Sequence, residues 1–88
     1  MTAFQQQLEA MGSALLLIAK LPAGTIWGLT CTNDDDARSM STLNIYVPEP
    51  EWDALAIRLG LKGSSQYVAG QYISYKDGSL LISLIGQE

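Results

Sequence analysis

Asp34, Asp35 and Asp36 form the densest run of potential ligands in the 88-residue chain. Adjacent carboxylates are the hard oxygen donors that hold calcium or magnesium. A calcium loop of the EF-hand kind also needs glycine at its sixth position and glutamate at its twelfth. Counted from Asn33, those positions are Arg38 and Asn44; counted from Asp34, they are Ser39 and Ile45. Neither frame completes a cation site. The run instead reads as a solvated loop whose charge suits a basic partner surface. A second acidic group, Glu49, Glu51 and Asp53, falls where a helix begins and complements the positive end of its dipole. A strand of seven residues between the two groups separates them by about 20 Å. They therefore make no continuous patch within one copy.

Gly60-Leu61-Lys62-Gly63-Ser64-Ser65 has the composition of a phosphate-binding loop but not its order. The lysine precedes the second glycine instead of following it. Cys31 is the single cysteine and there is no histidine. No intrachain disulfide, Ser-His-Asp arrangement or Cys-His pair can be assembled. A zinc site lacks its usual ligands. Without a base to lower its pKa, Cys31 reads as a small buried hydrophobe. The expectation is a protein that is not an enzyme, with no metal and no cofactor.

The charge balance narrows the partners. Net charge is −4, and Lys20, Arg38, Arg58, Lys62 and Lys76 are scattered along the chain. Phosphate contacts need clustered cations, so no direct nucleic-acid contact is expected. Strong mimicry of a nucleic acid would want more net charge than this. The apolar run at residues 14–19 is far short of the ~20 residues of a membrane span. Glutamines and Glu9 precede it, not a basic segment, so it does not read as a secretory signal. The expected location is cytoplasmic, with no membrane partner.

The elements that would position these groups follow from periodicity. Thr2 and Gln5 have capping-box spacing. Phe4, Leu8, Met11, Leu15 and Ile18 recur on one helical stripe, with Lys20 in the last turn and Pro22 and Gly24 as stops. Leu16 and Leu17 fall off the stripe, so the second half of this helix is apolar nearly all round. It must be deeply buried or covered by a partner. Residues 25–32 read as a strand with Trp27, Leu29 and Cys31 on one face. Residues 41–47 read as another, with Leu43, Ile45 and Val47 inward and Tyr46 outward. Pro48-Glu49-Pro50 opens a second helix with Trp52, Leu55, Ala56 and Leu59 buried and Gly60 as C-cap. Residues 66–75 read as a strand with a bulge near Gly70. Asp77-Gly78 gives a hairpin turn that pairs Tyr75 with Leu80 and Ile73 with Ile82.

Leu55-Ala56-Ile57-Arg58-Leu59-Gly60-Leu61 resembles the first helix and turn of DNA-binding helix-turn-helix proteins, where a small residue packs on the second helix and glycine makes the turn. The resemblance implies a degenerate motif over residues 52–68 and a DNA-binding regulator. The chain departs from that pattern at Gln66, where the family places an apolar residue. The segment that would be the recognition helix carries Ser64, Ser65 and Tyr67 without arginine, and the β-formers after it prefer a strand.

The resulting expectation is one α+β domain over residues 1–88, in α-β-β-α-β-β order. It would be a two-layer sandwich, a four-stranded antiparallel sheet with two helices on one face. The last strand is apolar on both faces, because Leu81 and Ile85 oppose Leu80, Ile82 and Leu84. Tyr46 and Tyr72 join Leu81 and Ile85 on the face away from the helices. These four, with Asp34, Asp35 and Asp36, are the candidate partner-binding residues, for another protein or complex with a basic surface or for a homodimer. Small acidic domains without catalytic groups are a common format for phage or mobile-element inhibitors of host nucleic-acid-handling complexes. By that analogy of size and composition the chain is expected to be a protein-binding inhibitor of anti-defence type. A structural or assembly subunit is a further alternative.

Overall fold

A computed structural model of the chain describes residues 3–31, 41–62 and 65–86. Asp34, Asp35, Asp36, the Thr2 cap and the side chains of Phe4 and Cys31 lie outside the described part. Two helices, α1 (Ala3–Ile18) and α2 (Trp52–Leu59), accompany five strands. The strands are β1 (Ile26–Cys31), β2 (Ser41–Tyr46), β3 (Ser65–Val68), β4 (Tyr72–Asp77) and β5 (Leu80–Ile85). The class is α+β, as expected.

The sheet is not the expected four-stranded antiparallel one. It has five strands in the order β1-β2-β5-β4-β3, and β2 pairs with β5 in parallel. Two local facts produce the difference. First, residues 66–75 do not form one bulged strand. The chain turns through Ala69, Gly70 and Gln71, closed by the Gln71 N–H donating to the Val68 carbonyl at 3.0 Å. Val68 and Tyr72 share parity because they are cross-strand partners. Second, the β3–β4–β5 meander brings β5 back beside β2, so β5 is an interior strand flanked by β2 and β4. A central strand flanked on both sides, with one parallel neighbour, reads as a nearly continuous apolar run, as 80–85 does.

The β4–β5 turn is displaced as well. Asp77 pairs with Leu80, so the loop is Gly78-Ser79 and Tyr75 pairs with Ile82. Gly78 sits at φ 58° in the first loop position, a left-handed backbone that the hairpin turn requires and glycine tolerates. The shift is two residues, so every side chain keeps its expected face.

The core lies between the sheet and both helices. Leu43, Ile45, Leu80, Ile82 and Leu84 are buried on one sheet face, against Ala10 and Ala14 of α1 and Trp52, Leu55, Ala56 and Leu59 of α2. A 3-10 turn at Glu49–Glu51 leads into α2. The Trp52 indole N–H donates to the Val47 carbonyl at 2.9 Å, which ties this turn to the end of β2. At the other end of α2 the Leu61 N–H reaches the Ala56 carbonyl and the Gly60 N–H reaches that of Ile57, a Schellman cap.

Helix α1 is rotated from expectation. Ala10 and Ala14 face the sheet with Leu17 and Ile18 packed beside them. Leu8, Met11 and Leu15, from the expected core stripe, point outward with Leu16. The helix ends at Ile18, so Lys20 lies beyond its last turn, where the Lys20 carbonyl accepts the Arg58 Nε–H at 2.6 Å. Small side chains let a helix lie close on a sheet, and Ala10 and Ala14 have the same i, i+4 spacing as the leucines.

Gly86 closes the sheet onto the β3–β4 turn, its N–H donating to the Gln71 carbonyl at 2.7 Å. A Cβ at this position would stand 2.5 Å from the Gly70 carbonyl oxygen. Gly86→Ala is therefore expected to destabilise the fold by about 1–3 kcal/mol, measured by urea denaturation, because backbone must move. An unchanged midpoint would contradict this contact.

Candidate interaction surface

The sheet face away from the helices is built in rows, because cross-strand partners share a face. The first row runs Ile26, Tyr46, Ile85, Tyr72, Val68 across all five strands. The second is polar: Gly28, Asn44, Ser83, Ser74, Gln66. Within it the Ser74 and Ser83 hydroxyls lie 3.0 Å apart in a hydrogen bond. The third row holds Thr30, Thr42, Leu81 and Lys76.

Three of the four expected sheet-face residues thus become neighbours. Ile85 lies between Tyr46 and Tyr72, and all three are half-buried. Leu81 is separated from them by the polar row and belongs to a different patch. Ile26 and Val68 extend the apolar row at both ends and were not singled out from the sequence. Their signal was parity: Ile26 alternates with Trp27, and Val68 keeps the parity of Tyr72. Ile26 is the most open member, 57% exposed.

The row runs into a cleft of about 700 Å³ where β1 begins and β2 ends. Pro22, Ile26, Tyr46, Pro48, Ile57 and Arg58 are among its walls. The hydrogen bond from Arg58 to the Lys20 carbonyl ties the segment that follows α1 to α2 and fixes one wall. Ile57 is 81% exposed, so the cleft presents unpaired apolar surface. A cleft with both polar and apolar walls, continuous with a tyrosine-bearing row, favours contact with a side chain from another molecule.

On the far edge Tyr67 anchors β3. Its ring meets Trp52 edge-on with centroids 6.1 Å apart. Its hydroxyl donates to Glu49 Oε1 at 2.9 Å. That bond, with partial desolvation and the charges of Glu49 and Asp53, raises the phenol above its ordinary pKa. The pair is a structural clamp, and it explains part of the second acidic group.

The clamp has a pH signature. The folded-state pKa exceeds the unfolded one, so the folded protein holds this proton more tightly. Its contribution is complete below the unfolded value near ~10 and is lost as pH rises through the folded value. Chemical denaturation at pH 8 and at about pH 11 should show a smaller alkaline loss of stability in Tyr67→Phe than in the wild type. Equal losses would contradict the clamp.

Among the described residues no three Asp, Glu, His or Cys side chains come together as a metal site. Among them, too, no helix is long and apolar enough to cross a membrane. The helix expected after Gly60 from the helix-turn-helix resemblance is replaced by strands at 65–68 and 72–77. Compared with known protein families, curated proteins and solved structures, the chain matches none.

Proposed function

We propose that the protein is a non-enzymatic binding module that acts by occupying a surface on another protein. The observation that carries this reading is the apolar row Ile26–Tyr46–Ile85–Tyr72–Val68 on the face no helix covers. Tyrosine supplies large contact area with little side-chain entropy to lose, and it is enriched among residues that dominate binding. Tyr46, Tyr72 and Ile85 are the anchors, and Leu81 is a peripheral contact beyond the polar row. Asp34, Asp35 and Asp36 steer the approach to a basic partner. A basic partner surface is what nucleic-acid-handling complexes present, so an inhibitor of such a complex, of the phage or mobile-element type and acting in the cytoplasm, is the specific form we favour.

Affinity capture from lysate tests it with three proteins: the wild type, Tyr46→Ser/Tyr72→Ser, and a triple Asp→Asn variant at 34–36. The wild type should retain a protein that the tyrosine variant loses while keeping its far-UV spectrum. Identical captured sets for the wild type and the tyrosine variant would sink the assignment to this face.

A further inference from the structure

We infer that α1 is the seat of a symmetric dimer in which a second copy of this chain crosses it at Gly12. The surface used lies on the opposite layer from the sheet row, so the inference stands apart from the function proposed above.

Ala10 and Ala14 hold α1 on the sheet. The opposite side of the helix is therefore turned to solvent. It carries Leu8, Met11, Leu15 and Leu16 at 51%, 37%, 59% and 69% exposure. On a helical surface the neighbours of a residue lie three and four positions away. For Gly12 these include Leu8, Leu15 and Leu16, with Met11 alongside. The glycine is a notch at the centre of an apolar patch, and a Cβ built on it would meet nothing within 4 Å. A glycine inside an exposed helix weakens that helix relative to alanine and gains nothing in a single copy.

The pattern fits one occupant. Leu8, Gly12 and Leu16 form a ridge at four-residue spacing. Interdigitation of two such ridges gives the commonest helix crossing in globular proteins. A glycine at the crossing point brings the axes to the near end of the usual range. A two-fold axis through Gly12 places Leu8 of each copy against Leu16 of the other, so the patch is complementary to itself, as an isologous contact requires. The four exposed apolar side chains adjoin one another on one face of α1, where scattered single apolar residues would need no explanation. Contact through this one helix face, with Glu9 and Ala19 at its rim, falls at the low end of interface size, so the dimer is a weak and reversible one. Glu9 is the one charged residue within α1, so two copies of net charge −4 meet where that charge is sparse. A domain of this size commonly takes part of its stability from a partner subunit.

Sedimentation velocity of the full chain, in reductant so that Cys31 forms no cross-link, tests the inference over about 5–500 μM, concentrations suited to a weak, reversible interface. The wild type should be a reversible dimer. Leu16→Glu and Gly12→Leu should each weaken association by about tenfold or more, as loss of a central contact does. Gly12→Leu is the sharper variant, because it fills empty space in one copy and favours the helix. It should keep its far-UV spectrum and its melting temperature at low concentration while losing the dimer. Ile57→Glu, on the exposed side of α2, should dimerise as the wild type does. A wild type that stays monomeric throughout, or helix variants that associate as tightly as the wild type, would overturn the inference. The helix variants should still capture the partner of the sheet face, which separates failure of one reading from failure of the other.

Discussion

Leu43→Ala is expected to destabilise the protein by about 2–5 kcal/mol, the range for removing a fully buried leucine that leaves a cavity. Leu43 has no exposed surface. It lies in β2 between Leu29 of β1 and Ile82 of β5, in the middle of the buried sheet face. An 88-residue domain has roughly 4–13 kcal/mol of total stability, so the loss is a large share. The melting temperature should fall by roughly 10 °C or more. Leu16→Ala supplies the contrast, removing the same atoms from a side chain that is 69% exposed. In a single copy it should change stability by no more than about 0.5 kcal/mol, because little surface returns to water and alanine favours a helix. Urea denaturation at low protein concentration checks both. Equal effects would mean that α1 does not present the face described.

Ala14→Glu should be the most damaging change on α1, at about 3 kcal/mol or more. Ala14 is fully buried against the sheet, and its neighbours in the core are apolar. A carboxylate placed there loses hydration without a compensating partner, and burial drives its pKa upward. A folded-state pKa above the unfolded value of ~4.3 means that the folded form binds the extra proton more tightly. The penalty is therefore smallest in acid, where the group is neutral in both states. It grows as pH rises from the unfolded value to the raised folded one. Ala14→Glu should lose stability between about pH 4 and pH 8 relative to the wild type. A variant whose deficit is the same at both ends would show that the new carboxylate escapes to water. Leu16→Glu, on the opposite side of α1, should show no such trend.

The comparison of these positions explains what was legible in the sequence. In α2 and β2 local pattern and tertiary environment agree. Trp52, Leu55, Ala56 and Leu59 are buried at helical spacing, Leu43 and Ile45 alternate with half-buried neighbours, and Gly60 caps. In α1 they disagree. Two stripes of like spacing compete, Leu8–Met11–Leu15 and Ala10–Ala14–Leu17. The stripe with more apolar area looks like the core, but the one with smaller side chains sits on the sheet. Periodicity finds a stripe; it does not say whether a second molecule covers it.

The sheet was legible strand by strand but not as a whole. That Val68 keeps the parity of Tyr72 and not of Ile73 was visible, and it marked a turn, not a bulge. Parallel pairing of β2 with β5 is a long-range fact with one local trace, the run of apolar residues on both faces of β5. The candidate surface depended on that pairing. Tyr46, Ile85 and Tyr72 are far apart in the chain and become neighbours because β5 lies between β2 and β4. Leu81 has the same parity, yet Ser83 separates it from the row.

The most direct measurement of the central claim is a titration of the protein captured by the wild type, at low and at high salt. The tyrosine-row variant should bind about tenfold or more weakly at both, because it loses desolvated anchor contacts. The variant neutralised at 34–36 should differ from the wild type chiefly in association rate, and chiefly at low salt, as steering charges do. A tyrosine-row variant that binds with wild-type affinity, at an unchanged melting temperature, would contradict the account.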